Sequence, residues 1–125
     1  MTRTNLRCLL LLIPAPVVVG DYLVETMQSG RAIVSPDLHD PEHPREARRI
    51  LLPPNEYPHW LALEPGGDRL AITGYGALAT RIRFATINRS TGNLTLEGSM
   101  IDFSRSWPDG WKGSAIPHGT VFSNP

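Results

Sequence analysis

A single cysteine, Cys8, stands in a chain of 125 residues. One thiol excludes an internal disulfide framework and any zinc site built from paired cysteines. Neither sign of charge is in excess, since twelve Lys and Arg balance twelve Asp and Glu. The chain therefore lacks the basic footprint expected of a nucleic-acid binder or of a protein that sits on an anionic membrane. No apolar run approaches the roughly 20 residues that span a bilayer; the run from Cys8 to Ile13 is far too short. Helical periodicity is missing as well. No useful window repeats apolar residues at helical spacing, and Pro36, Pro41, Pro44, Pro53, Pro54, Pro58 and Pro65 interrupt the middle of the chain. The length suits one domain and is short for an enzyme of two lobes.

What the sequence does contain is apolar residues at 41%, more than a disordered chain carries, divided by twelve prolines and eleven glycines. Strand-like runs recur at Tyr22 to Met27, Arg31 to Ser35, Glu46 to Leu52, His59 to Glu64, Arg69 to Thr73, Arg81 to Ile87 and Leu94 to Gly98. Turn chemistry separates them, at Gln28-Ser29-Gly30, Asp40-Pro41-Glu42, Pro65-Gly66-Gly67-Asp68 and the stretch from Asn88 to Asn93. The pattern predicts an all-β chain of antiparallel hairpins. Residues 1–19 form an apolar leader with two readings. Arg3 and Arg7 ahead of Cys8 to Ile13, with Val18-Val19-Gly20 as a cleavage site, resemble a secretory signal; alternatively, Pro16 to Val24 is a pair of strands. The first reading implies a secreted or periplasmic protein and the second favours the cytoplasm. Asn88-Arg89-Ser90 and Asn93-Leu94-Thr95 match the glycosylation acceptor pattern but are read here as turn residues.

An internal repeat organises residues 20–125. Gly20-Asp21-Tyr22-Leu23-Val24 aligns with Gly67-Asp68-Arg69-Leu70-Ala71, an offset of 68 − 21 = 47 residues, within the range of propeller blades. In each copy a second strand, a turn and an outer strand follow. The fold expected is a partial β-propeller of about two to two and a half four-stranded antiparallel blades. A blade has two apolar faces and buries neither alone, so blades stack around a channel. Two blades do not close a ring, and apolar end faces should remain for further blades, another chain or a second copy to cover.

From Gly20 onward the sequence resembles the carboxy-terminal part of the selenium-binding protein and methanethiol oxidase family and its YVTN-type relatives, which are seven-bladed propellers. The stretch Asp37-Leu38-His39-Asp40-Pro41-Glu42-His43-Pro44-Arg45-Glu46 is similar to the family's link between the third and fourth strands of a blade. Pro58-His59-Trp60-Leu61-Ala62-Leu63, followed by Gly67 to Thr73, is similar to the strand pair that opens the next blade. Met100-Ile101-Asp102-Phe103, Trp107 to Lys112 and Ala115-Ile116-Pro117-His118-Gly119 are similar to its closing segment, the most family-specific of the three. The resemblance implies a copper-dependent oxidoreductase acting on a small thiol in the full ring, with His118 at the channel mouth as a candidate ligand. The blades that would supply further histidines and a reactive cysteine are not in this chain. A non-catalytic interaction module is the alternative, and lactonase-like propellers are another, because Ile87 to Leu96 also suits their blades.

Read as residues, His118 and His59 are the metal candidates. Each follows a proline, so each starts from extended backbone, and Gly119 lends freedom after His118. Imidazole suits copper, though a site needs several ligands and groups that orient them. For both histidines the competing reading is a structural one, packing or hydrogen bonding at a blade edge. His39 and His43 have the spacing of a helical metal pair, but Pro41 and Pro44 forbid the helix, and Asp37, Asp40 and Glu42 make a solvated turn the better account. Gly74-Tyr75-Gly76-Ala77-Leu78-Ala79 matches a dinucleotide-binding pattern, with Glu97 as the ribose acid, but this requires a following helix, whereas Thr80 to Ile87 reads as a strand. Ser114 lacks a nucleophile-elbow setting and Cys8 has no histidine nearby. Glu97 and Asp102 gain no acid/base role from spacing alone, and Trp107 and Trp111 are expected to form a loop that packs over a blade edge or a partner surface.

Overall fold

The computed structural model describes residues 16–76, 78–104, 110 and 112–123. They form two four-stranded antiparallel sheets and, among the described residues, no helix. The first comprises β1 (Val17–Val19), β2 (Tyr22–Met27), β3 (Ala32–Asp37) and β4 (Arg45–Leu51), and the second β5 (Tyr57–Leu63), β6 (Arg69–Tyr75), β7 (Arg81–Ile87) and β8 (Leu94–Asp102). Each sheet runs in sequence order, the meander of a propeller blade. The chain is thus a partial propeller of about two blades. No helix among the described residues is long and apolar enough to cross a membrane.

Several expectations meet their structural counterparts here. The 47-residue repeat superposes β2 on β6, the second strand of each blade. The hairpins ahead of them differ. Gly20 and Asp21 make a two-residue turn with Gly20 at φ 61°, whereas the second blade uses the longer Glu64 to Asp68 loop with Gly66 at φ 69°. Val17–Val19 pairs with β2, so the stretch from Pro16 to Val24 is the pair of strands of the second reading. The rest of that leader, residues 1–15, lies outside the described residues, as do Cys8, Trp107 and Trp111. The last strand runs to Asp102 rather than stopping at Gly98. A bulge between Arg83 and Ala85 absorbs the interruption, and Arg81 pairs with Asp102 beyond it.

Alternation along the strands builds the core. Val19, Tyr22, Val24, Ile33 and Leu52 from the first blade meet Leu61, Leu70, Ile72, Ala85, Ile87 and Leu94 from the second. Burial on this scale is the main driving force for stacking the sheets. Polar ties set their registration. The Tyr22 hydroxyl donates to the Ser90 carbonyl at 3.2 Å, Ser35 Oγ to the Gly92 carbonyl at 2.6 Å and Thr26 Oγ1 to the His59 carbonyl at 3.3 Å. Gly92 has φ 70°, and a Cβ there would overlap the Tyr22 ring, so the interface requires glycine at this point. On the outer edge of the first blade, β4 is exposed and charged, with Glu46 and Arg49 in a two-bond ion pair.

The two outward faces are treated differently. On the first blade Val18 and Leu51 are 62% and 61% exposed. On the second, the expected open face is partly closed by the chain itself, and that expectation is corrected. Ala62, Ala71 and Ile82, with Phe84, leave a shallow strip into which Phe103 and Phe122 pack. Phe103 N donates to the Thr80 carbonyl at 2.9 Å and Ala115 N to the Phe103 carbonyl at 3.0 Å. The small side chains of the strip make room, and two phenyl rings gain burial there that they would otherwise lack. Arg69 lies 4.1 Å over the Phe84 ring and is itself held by Glu97.

Candidate functional site

His59 occupies a fault in the β5–β6 ladder. Pro58 pairs with Gly74 and Trp60 with Thr73, so His59 has no partner across the strand and stands in a bulge. Bulges re-aim side chains in this way, and β5 is an edge strand, where Pro58 breaks no essential ladder bond. Gly74 is required opposite, because a Cβ would run into the Tyr57 carbonyl.

His118 reaches the same place from the other end of the domain. Residues 112–123 run without helix or extended strand across the second blade. Thr73 Oγ1 donates to the His118 carbonyl at 2.6 Å, Trp60 Nε1 donates to the Thr120 carbonyl at 3.1 Å, and Gly119 rests against the Trp60 indole. Thr73 and Trp60 are cross-strand neighbours, so one register pair pins both sides of the Pro117-His118-Gly119 turn.

The two imidazoles that the sequence nominated separately are therefore brought together, with ring centroids 5.0 Å apart. Tyr75, at the end of β6, completes the cluster. Its ring centroid lies 4.3 Å from that of His59 and 5.5 Å from that of His118, and its hydroxyl is hydrogen-bonded to His118 Nε2 at 2.7 Å. His59 Nδ1 is buried without a hydrogen-bond partner among the described residues. Burial, then the nearby His118, pushes the His59 pKa below its ordinary value, so the ring is neutral at pH 7 and keeps a lone pair. Sequence reasoning missed Tyr75 as a member of this site. The signal available was its place one residue after Gly74, which puts it across from Tyr57, the residue before the Pro58-His59 step.

The donors present are two imidazoles and a phenol, and one nitrogen of His118 is already bonded to that phenol. The set is partial. No group of three or more His, Cys, Asp or Glu able to hold a metal occurs among the described residues.

The other candidates resolve as structure. His39 bonds Asp37 Oδ1 at 2.6 Å and Asp21 Oδ2 at 3.1 Å, and His43 bonds Asp40 Oδ2 at 2.9 Å, all on an exposed turn as the prolines required. After Gly76 a turn over Leu78 to Thr80 leads directly into β7, so no helix N-terminus stands where a dinucleotide would need it. Glu97 is bound by Arg69 and Ser99. The carboxyl of Asp102 is held down to about 2, first by Ser104 and further by Arg81 and Thr80. Asn88 Oδ1 accepts from Ser90 N and Thr91 N, the work of a turn residue.

Two buried acids were not legible beforehand. Glu56, in the loop entering β5, accepts from Arg81 Nη1 at 2.9 Å and from Arg83 Nη2 and Nε at 2.7 and 2.8 Å. Glu25 in β2 is 2% exposed, and its Oε2 lacks a partner among the described residues. No protein-family model matches this sequence, and no curated protein matches it either.

Proposed function

We propose that this chain is a two-blade segment of a propeller of the selenium-binding and methanethiol-oxidase-like group, and that His59 and His118 are part of a copper site completed by neighbouring blades. The observation that carries the reading is the convergence of the two Pro-His imidazoles at 5.0 Å beside Tyr75. His59 offers a neutral ring with an unsatisfied nitrogen. Tyr75 orients His118, much as outer hydrogen-bond partners fix the rings of metal-bound histidines. Copper, when bound, supplies one-electron chemistry, and a small thiol is the substrate class implied by the family resemblance. The two blades alone hold only part of such a ligand set, so oxidoreductase activity belongs to the completed ring.

Copper titration of the full chain, followed by calorimetry and electron paramagnetic resonance, tests the reading. One ion per chain is expected, lost in His118→Ala and His59→Ala. Unchanged stoichiometry in both variants removes the assignment. A second reading, a non-catalytic module that docks onto another blade, is favoured by the exposure of Val18 and Leu51 on one outward face. A monodisperse monomer at all concentrations counts against it. Turnover of a sugar lactone would move the chain to the lactonase-like propellers instead.

A further inference from the structure

Against the second blade, the tail repeats the contacts that the start of the second blade makes against the first. Thr26 of β2 donates to the His59 carbonyl at 3.3 Å, and Thr73, its counterpart in the 47-residue repeat, donates to the His118 carbonyl at 2.6 Å. Leu52, just past β4, donates its N–H to the carbonyl of Arg31 ahead of β3, and Phe103, just past β8, donates to that of Thr80 ahead of β7. Leu63, four residues after His59, packs into the cluster between the blades, and Phe122, four residues after His118, packs on the far face of the second blade. Exposure alternates along residues 115–123 and slips by one at His118-Gly119, both exposed. The slip falls where β5 has its bulge, after Pro58 in one segment and after Pro117 in the other. One difference remains. β5 is paired along its length with β6, whereas residues 114–123 pair with no strand among the described residues.

We propose that residues 114–123 are the opening strand of a third blade, and that their open edge takes a three-stranded antiparallel meander whose first strand has the chemistry of β6. The inference rests on the propeller part of the reading above and needs no metal. The β5–β6 register sets what the incoming strand must carry. A glycine stands opposite Pro117, as Gly74 does opposite Pro58, where a Cβ would run into the preceding carbonyl. A small residue faces Val121, as Ala71 faces Ala62, and a large aliphatic one faces Phe122, as Leu70 faces Leu63. Main-chain bonds along such an edge supply affinity, and alternate side chains supply selectivity. Apolar surface remains for the meander to cover. Ile101, opposite Ile82 and so on the same face, is 46% exposed, and Ile116 is 64% exposed. A second copy of this chain does not fit, because β2 and β6, its strands of this type, already lie beside β1 and β5.

Hydrogen exchange of the full chain, with no metal added, tests the edge directly. The probe is a synthetic peptide of residues 67–88, which carries the β6–β7 hairpin. At saturation it should slow exchange within residues 116–122 by about tenfold or more, the factor that corresponds to about 1.4 kcal/mol, and leave β4 unchanged. The Gly74→Val peptide should give no protection. Register is read separately by cross-linking in a Cys8→Ser background. Val121→Cys should form a disulfide with an Ala71→Cys peptide about tenfold faster than with an Ile72→Cys peptide, since a one-residue slip turns the thiol to the other face. Equal cross-linking rates, no protection of residues 116–122, or protection on β4 instead would overturn the proposal. Concentration-dependent protection of residues 116–122 without peptide would overturn the choice of partner in favour of a second copy. The copper titration is decided independently of all of these results.

Discussion

Glu56→Gln is the most discriminating change this structure offers outside the histidine cluster. The Glu56 side chain is 5% exposed and receives three charge-assisted hydrogen bonds, one from Arg81 and two from Arg83. Burial alone would raise its carboxyl pKa, but the Arg83 and Arg81 bonds outweigh that, and the net shift is downward. Glutamine keeps the shape and removes the charge, leaving the Arg81 guanidinium with Asp102 alone and that of Arg83 with no other ion pair among the described residues. Breaking a buried pair from one side costs about 3 kcal/mol, which for a domain of this size lowers Tm by about 12 °C. Chemical and thermal unfolding at pH 7 measure it. The sign of the pH dependence follows from the lowered folded-state pKa. The ion-pair contribution is present above the unfolded pKa of about 4.3 and is lost as pH falls through the folded value. The gap between wild type and variant should therefore narrow as pH falls below the unfolded value and close below the folded one. Adding Arg83→Met should recover part of the loss, because the stranded charge goes with it. A loss under about 1 kcal/mol, or a gap that does not narrow as pH falls below the unfolded value, would refute the view that this carboxylate holds the entry to β5.

Three further outcomes follow from the same geometry. Gly92→Ala, which forces a Cβ into the Tyr22 ring at φ 70°, should destabilise by about 2 kcal/mol, whereas Tyr22→Phe, losing only the bond to Ser90, should cost about 1 kcal/mol; equal effects in urea unfolding would show that the close approach is unimportant. Glu25→Gln should stabilise at pH 7 by about 1 kcal/mol, since burial raises the carboxyl pKa; the raised value means that the cost of ionisation grows as pH rises through it, so the gain should vanish below pH 4, and a gain independent of pH would contradict the argument. The ring of His39 should titrate above the usual histidine range because Asp37, and then Asp21, favour its charged form; an NMR titration should show the value returning toward normal in Asp37→Asn, and no change there would remove Asp37 as the cause.

Much of the architecture was legible because propeller blades are local. Each strand pairs with its sequence neighbours, so alternation at Tyr22 to Met27 and Arg81 to Ile87, with glycine turns between, carries the topology. The nomination of His59 and His118 rested on their Pro-His steps and, for His118, on the family resemblance of its segment, but their meeting depends on a bulge at His59 and on the path of the tail, and neither has a periodic signature. Tyr75 was hidden inside a glycine pattern suggestive of another fold. The packing of Phe103 and Phe122 on Ala62 and Ala71 could not be read in advance, because an extended segment without ladder bonds leaves no period in the sequence. Glu56 and Glu25 escaped for a related reason. Nothing in a lone carboxylate says whether two guanidiniums or an apolar surface will surround it.

The charged flank of β4 limits how such molecules can join one another. Sheet edges recruit additional strands when they are smooth and apolar, and a row of Arg45, Glu46, Arg48 and Arg49 makes this margin a poor template. Growth by lengthening the sheets sideways is thereby discouraged at that margin. A partner stacked on the exposed face of Val18 and Leu51 would instead add a whole sheet, with no strand joined to this margin.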